Sequence, residues 1–120
     1  MESMKTPRWG HECNVWMYED KTGIVVAGGL SDGEYLASVE FYSYRENSWI
    51  QLGSLVTPRY SHSVTVVSEM LVVSGGENSG YLSSVEYFNG TRSEWEVLTN
   101  LTEGRTGHCG VSVPAKLVDC

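Results

Sequence analysis

The chain has 120 residues, of which 41% are hydrophobic, so it is long enough and apolar enough to form a packed domain. It carries 15 acidic and 8 basic residues and a net charge of −7, and the basic residues form no cluster, which argues against nucleic acid and anionic membranes as partners. The sequence contains neither an apolar span of about 18 residues nor a recognisable signal peptide.

The first half of the chain predicts four short strands, because runs of β-branched and aromatic residues alternate with turn residues. These strands are expected at residues 11–17, 24–28, 37–42 and 48–52. The double glycine Gly28 and Gly29 is expected to end the second strand, since glycine lets the backbone bend and approach its neighbours closely. No stretch has a convincing helical period, so the fold class is all-β.

The second half predicts the same four strands. Two β-branched runs, residues 62–67 and 71–75, surround the polar turn formed by Ser68 and Glu69, which indicates a hairpin. In residues 83–88, Val85 and Tyr87 alternate with Glu86 and Phe88. This alternation predicts a strand with one partly polar face, the one that contains Glu86. The residues around Trp95 predict a fourth, outer strand.

The two halves repeat with a fixed spacing. Matching residues lie 46 apart: Trp49 and Trp95, Glu40 and Glu86, Leu55 and Leu101. Three arginines are each followed three residues later by a histidine, namely Arg8 and His11, Arg59 and His62, Arg105 and His108. A fixed period of this size predicts one supersecondary unit stacked on copies of itself.

The combination of "PR..H", a valine run into a double glycine, "L.SVE.Y", a tryptophan seven residues on and "L..L" resembles the kelch repeat. The resemblance implies four-stranded antiparallel blades of a kelch-type β-propeller, here a partial propeller or open arc. It places the end of a preceding repeat at 1–6, repeat one at 7–57, repeat two at 58–103 and a truncated start of repeat three at 104–120. Further blades, from the same or other chains, are then needed to close the propeller. The departures are Phe88 where the first copy has Tyr42, and Gly104 where the earlier copies have proline.

Two functional interpretations, a phosphate site and a metal site, compete with a structural role for the repeated residues. The double glycines could cradle a phosphate, but neither the G-K-S/T continuation nor a helix follows. A metal site built from the three histidines would need residues of separate blades to converge, and no zinc-type spacing is present. Trp49 and Trp95 are therefore predicted to pack between blades, the repeated Arg and His side chains to make structural hydrogen bonds, and no cofactor is predicted.

The sequence contains no nucleophile signature such as G-x-S-x-G, and Ser61 and His62, as neighbours on a strand, would point to opposite faces. The resemblance implies a non-catalytic protein–protein interaction module, such as a substrate adaptor or scaffold within a longer protein. Two alternatives remain open: a fragment of a kelch-propeller enzyme, and part of a secreted glycoprotein ectodomain.

The resemblance implies that a protein or peptide partner binds to loops on one propeller face: the loops before the third strand of each blade and those that link blades. Residues that differ between repeats are the best candidates, because structural positions recur. The candidates are Trp9, Ser31, Asp32, Glu34, Arg59, Tyr60, Glu77, Asn78 and Ser79. Trp9 and Tyr60 could instead merely pack on their own loops, and Tyr35 and Tyr81 recur and are predicted to be mainly structural. The acidic loop residues predict a partner with basic residues.

The cysteines and possible glycosylation sites leave the compartment open. Cys109 and Cys120 occupy the positions that Ser63 and Ser74 hold in repeat two, so they could face each other and form a disulfide, or be two small residues that happen to be cysteine. Asn89 and Asn100 each begin an N-x-T pattern for N-glycosylation. A cytoplasmic location is favoured and a secreted one remains open.

Overall fold

The computed structural model describes residues 1–111, which form two four-stranded antiparallel sheets and one short hairpin. In chain order the strands are β1 (Glu12–Tyr18), β2 (Lys21–Ala27), β3 (Leu30–Ser31), β4 (Glu34–Tyr35), β5 (Ser38–Ser43), β6 (Ser48–Ser54), β7 (Ser63–Val67), β8 (Met70–Ser74), β9 (Ser84–Asn89) and β10 (Glu94–Asn100). The first blade has the order β1-β2-β5-β6, the second has the order β7-β8-β9-β10, and β3 pairs with β4. Among the residues described, we find no apolar helix of membrane-spanning length.

The predicted all-β fold and its four-stranded antiparallel blades are confirmed, with small shifts at the strand ends. The hairpin about Ser68 and Glu69 is also confirmed: both residues have positive φ, and Val67 pairs with Met70 on either side of them. Two positive φ values in succession are typical of the type I′ turn, whose twist matches that of the flanking strands. The short β3–β4 hairpin was not predicted.

The core lies between the two blades. Trp16, Phe41 and Leu52 of the first blade belong to one buried cluster with Phe88 and Trp95 of the second. The Trp16 ring meets Phe88 edge-on at 6.0 Å, and the indole nitrogen of Trp95 donates to the Leu52 carbonyl at 2.9 Å. Trp95 therefore packs between blades as predicted, combining a large apolar surface with a satisfied N–H.

The first six residues lie against the first blade much as the first blade lies against the second. The indole nitrogen of Trp49 donates to the Glu2 carbonyl at 2.9 Å, which is the counterpart of the bond from Trp95. The backbone amides of Lys5 and Thr6 donate to the carboxylate of Glu40. That residues 1–6 are the end of a preceding repeat stays a prediction.

The double glycine allows the two blades to approach closely. Gly28 has φ +61°, and a Cβ at this position would lie 2.5 Å from the Arg59 carbonyl oxygen. The next amide, of Gly29, donates to that same oxygen at 2.8 Å. Any side chain at Gly28 would therefore push the second blade away from the first, because both the backbone conformation and the space require glycine.

The partly polar face of the third strand in the second blade is buried. It carries Glu86 and Phe88, and both side chains lie in the interior of the fold. Glu86 is buried because its carboxylate accepts the backbone amides of Val56 and Thr57 as well as the guanidinium of Arg59. A fully partnered carboxylate can occupy a core position that its polarity alone would exclude.

The first blade leaves apolar side chains uncovered on the side away from the second blade. Val15 is 59% exposed and Met17 is 61% exposed, although both lie on a strand. β1 is also an edge strand of its sheet. Exposed apolar faces and open strand edges both favour pairing with other chains. We therefore expect the purified 120-residue chain to self-associate, with a sedimentation coefficient that rises with protein concentration.

A paired substitution tests which surface is responsible. Val15→Thr with Met17→Gln should shift the chain toward the monomer, whereas Val56→Thr, at an exposed valine of the linker between the blades, should leave the sedimentation profile unchanged. A monodisperse wild-type monomer with one sharp urea transition would contradict the prediction.

Candidate functional site

The candidate loops lie together at one end of both blades. We call this surface the loop face and define it as residues 7–10 and 58–61, which enter the blades, with residues 28–37 and 75–83, which connect the second and third strands. Backbone bridges hold these segments together: Trp9 pairs with Leu30, and Tyr60 pairs with Glu77. With the exception of Arg59, the predicted candidate residues therefore lie on one contiguous surface.

The first connection is an ordered hairpin. Asp32 and Gly33 have φ values of 48° and 79°, which is the pattern of a type I′ turn between β3 and β4. Leu30 is buried beneath this hairpin, while Asp32 and Glu34 are exposed at its tip. The buried leucine anchors the hairpin to the blade, and the two carboxylates at the tip therefore extend into solvent.

Three aromatic side chains form a row across the loop face. The ring of Tyr60 lies 6.2 Å from that of Trp9 and stacks on Tyr35 at 5.7 Å. Trp9 is 63% exposed, whereas Tyr35 and Tyr60 are half-buried. The row joins the two blades, since Trp9 and Tyr35 belong to the first repeat and Tyr60 opens the second.

Hydrogen bonds hold residues 75–83, the connection in the second blade, against the aromatic row. The Tyr60 hydroxyl donates to Glu77 at 3.0 Å, and this bond raises the pKa of Tyr60 above its ordinary value. The side-chain amide of Asn78 donates to the Pro58 carbonyl at 2.8 Å, and the backbone amide of Ser79 donates to the Tyr35 hydroxyl at 3.3 Å. Glu77, Asn78 and Ser79 therefore lie beside the aromatic row, as the sequence predicted for a shared loop surface.

The prediction that Arg59 faces the partner was wrong. Arg59 was included among the partner-facing candidates, but its side chain is completely buried. Its guanidinium bonds to the carbonyls of Gly75 and Ser84 and to Glu86 at 2.6 Å. Arg59 therefore supports the loop face from below and has no donor available to a partner.

Tyr35 and Tyr81 were predicted to be mainly structural because they recur at the repeat period. Tyr35 stacks within the aromatic row, and Tyr81 is 69% exposed, so both belong to the surface of the loop face. Tyr35 also makes contacts that support the loops, since its ring stacks on Tyr60 and its hydroxyl accepts the backbone amide of Ser79. That both tyrosines are mainly structural stays a prediction.

A groove of about 600 Å3 lies at the opposite end of the blades, where the first blade meets the second. It is lined by Val15, Trp16 and Met17 of the first blade and by Val66 and Glu69 of the second. The groove therefore lies at the junction of the two blades and includes none of the predicted candidate residues.

The other predicted sites are placed as follows. Asn89 is half-buried and its side chain accepts the backbone amides of Thr91 and Arg92, whereas Asn100 is exposed; glycosylation of either remains a prediction. Ser63 and Ser74 are directly paired, as expected, and Cys109 is exposed, but the predicted pairing with Cys120 lies outside the described residues. Within residues 1–111, no group of three His, Cys, Asp or Glu side chains is arranged to hold a metal ion.

Comparison with known proteins finds the same kind of repeat that the sequence pattern predicted. The Kelch motif family matches the chain at residues 20–56 and 58–102. Kelch-like protein 36 of Rattus norvegicus and that of Mus musculus are each 36% identical to this chain over 53 residues. That alignment covers 44% of the chain and 9% of each relative, so the similarity spans only a small part of those longer proteins.

Proposed function

The chain belongs to the kelch-repeat family, and we propose that it is a non-catalytic module that binds a protein or peptide partner through the loop face. The observation that carries this proposal is the aromatic row formed by Trp9, Tyr60 and Tyr35. Exposed Trp and Tyr side chains are frequent anchors of protein interfaces, because each buries a large area at little cost in conformational entropy.

The support beneath the loops favours recognition of a partner without large rearrangement. Buried ion pairs, Arg8 with Glu40 and Arg59 with Glu86, hold the loop bases, each at 2.6 Å. Loops on a rigid scaffold are where binding residues concentrate in many folds. The blades would therefore position the aromatic row before the partner arrives, which lowers the ordering cost of binding.

The charge of the loop face supports a partner with basic residues. Asp32, Glu34 and Glu77 all lie on this surface, and the whole chain has a net charge of −7. Complementary charge mainly accelerates association and suppresses wrong partners. We infer further that the module works as an adaptor or scaffold in a longer protein, with more blades from the same or another chain completing the propeller.

Removal of the central aromatic ring should weaken partner binding. We expect Tyr60→Ala to reduce the affinity by about 1–3 kcal/mol, because a central aromatic anchor contributes on this scale. Tyr60 also holds Glu77 and supports Tyr35, so its loss disturbs the surface on both blades. Partners captured by the wild-type chain and identified by mass spectrometry provide the ligand, and titration calorimetry measures the affinity.

Tyr44→Ala is the matched control, because Tyr44 is 53% exposed but lies in the turn between β5 and β6, at the other end of the blade. A partner of the loop face binds the Tyr44 variant as tightly as the wild-type chain. Unchanged affinity in both Tyr60→Ala and Trp9→Ala would exclude the loop face as the binding surface.

A further inference from the structure

A second, smaller groove opens on the loop face beside Trp9. It has a volume of about 430 Å3 and lies between the segment that enters the first blade and the β3–β4 hairpin. Trp9 forms one wall, and Ser31, Asp32 and Gly33 form the other. Paired backbone bonds between Trp9 and Leu30, at 3.0 and 2.8 Å, fix the separation of the two walls.

Trp9 differs from the other three tryptophans. Trp16, Trp49 and Trp95 are buried, and their indole nitrogens donate to backbone carbonyls. Trp9 is largely exposed, and no hydrogen bond from its indole nitrogen is found within residues 1–111. Its ring is therefore presented to solvent beside that of Tyr60, at 6.2 Å, and gives the groove an aromatic wall.

The carboxylate of Asp32 is the charged group of the opposite wall. Its side chain is exposed, and in the described part of the chain it makes neither a hydrogen bond nor an ion pair. Arg8 also lines the groove, but its guanidinium is buried and bonds to the Gly28 carbonyl and to Glu40. Arg8 therefore does not neutralise Asp32, and the groove combines an aromatic face with an uncompensated negative charge.

We propose that this groove binds an arginine side chain of the partner, with the guanidinium on the Trp9 ring and its N–H groups donating to Asp32. The proposal deepens the proposed function and rests on it, because it names the chemistry that the loop face recognises. Arginine fits better than lysine, since a planar guanidinium stacks on an aromatic ring and binds a carboxylate through two parallel hydrogen bonds. Glu34, exposed on the same hairpin, adds to the negative field around the groove.

The test compares three labelled pentapeptides, Gly-Gly-X-Gly-Gly, in which X is arginine, lysine or citrulline. Citrulline has nearly the shape of arginine without its charge. Fluorescence anisotropy with the full chain measures binding whatever the oligomeric state. We expect arginine to bind about two- to fivefold more tightly than uncharged citrulline, the ratio that an exposed cation–π contact provides. Lysine should bind less tightly than arginine, because its ammonium cannot form two parallel hydrogen bonds to the carboxylate.

Three variants, one of them a control, assign the effect to the groove. Asp32→Asn keeps a residue that tolerates positive φ, so the turn is preserved while the charge is removed. Glu94→Gln changes the net charge by the same amount at an exposed site on β10, outside the loop face. Asp32→Asn and Trp9→Ala should abolish the preference for arginine, and Glu94→Gln should retain it.

The outcomes separate this inference from the proposed function. Equal binding of the arginine and lysine peptides, or an arginine preference that survives Asp32→Asn, overturns the arginine site even if a protein partner still depends on Tyr60. If Tyr60→Ala and Trp9→Ala leave partner binding intact, the loop-face function itself fails.

Discussion

Glu86→Gln should lower the free energy of unfolding by about 3–5 kcal/mol, which is the typical cost of removing one partner from a buried ion pair. Glu86 and Arg59 are both completely buried, and their closest atoms are 2.6 Å apart. The substitution leaves the Arg59 charge in the core without its counter-ion. The glutamine amide would also place N–H donors opposite the Arg59 guanidinium or the backbone amides of Val56 and Thr57, which are themselves donors.

Glu46→Gln is the control for this prediction. Glu46 pairs with Lys21 at 2.8 Å on the surface, where 29% of the Lys21 side chain and 44% of the Glu46 side chain remain exposed. A surface pair of this kind contributes about 0–1 kcal/mol. Urea unfolding followed by tryptophan fluorescence, at one protein concentration for all variants, measures both effects. Similar losses for the two variants would mean that the buried pair has no special role in stability.

The blade architecture could be predicted because its requirements recur. Trp95 must bury its ring against the preceding blade and donate to Leu52, and Gly28 must let the next repeat approach. Each requirement acts at one position in every copy, so the same residue types reappear at a fixed spacing. The strand positions and the hairpin at Ser68 and Glu69 followed from this repetition together with the alternation of apolar residues.

The loop face was predicted in outline only, because sequence separation does not show which side chains are buried. Arg59 and Tyr60 are neighbours in the chain, yet one lies beneath the loops and the other lies in the aromatic row. The difference depends on Glu86, a residue of the third strand that accepts the Arg59 guanidinium. The recurrence of the arginine predicted that it makes structural hydrogen bonds, but no local pattern identifies Glu86 as its partner, since that contact forms only after the third strand packs beside the linker.

Recurrence also does not show how far a loop residue is exposed. Tyr35 and Tyr81 repeat, but the connection that contains them differs in length and form between the blades: a β3–β4 hairpin in the first and isolated bridges around Glu77 in the second. The repeated tyrosines consequently have different surroundings. A residue can recur at the surface as well as in the core, so periodicity alone does not show whether its side chain is buried or exposed.

Lowering the pH from 7 toward 4 should destabilise the fold through His62. This side chain is completely buried, and neither ring nitrogen makes a hydrogen bond of ordinary geometry among the described residues. Burial, and next the positive charge of Arg59, lower the pKa of His62 from 6.5 to about 3; the Ala27 backbone acts in the opposite direction, and His108 and His11 add smaller lowering contributions. The folded chain therefore keeps this imidazole neutral under conditions in which the unfolded chain protonates it.

The sign of the effect follows from proton binding. Above pH 6.5 neither state binds the proton and the stability is unaffected, whereas between 6.5 and about 3 only the unfolded state binds it, so stability is lost as the pH falls. At 1.36 kcal/mol for each pKa unit, the loss reaches about 2 kcal/mol at pH 5 and about 5 kcal/mol near pH 3. The interval from pH 7 to 5 isolates the histidine contribution, because carboxylates with ordinary pKa values remain ionised there.

Urea midpoints at pH 7, 6 and 5 measure this loss, and His62→Gln removes the titrating group while keeping a polar side chain of similar size. The His62→Gln variant starts from a lower stability, since its amide is buried without an assured partner, but its midpoint should change little over the same interval. His11→Gln is the control variant. His11 is only half-buried, and its pKa is lowered, mainly by burial, without the large shift of His62. The His11→Gln variant should therefore lose stability between pH 7 and 5 much as the wild-type chain does. If His62→Gln loses stability between pH 7 and 5 as steeply as the wild-type chain, the acid sensitivity originates elsewhere in the fold.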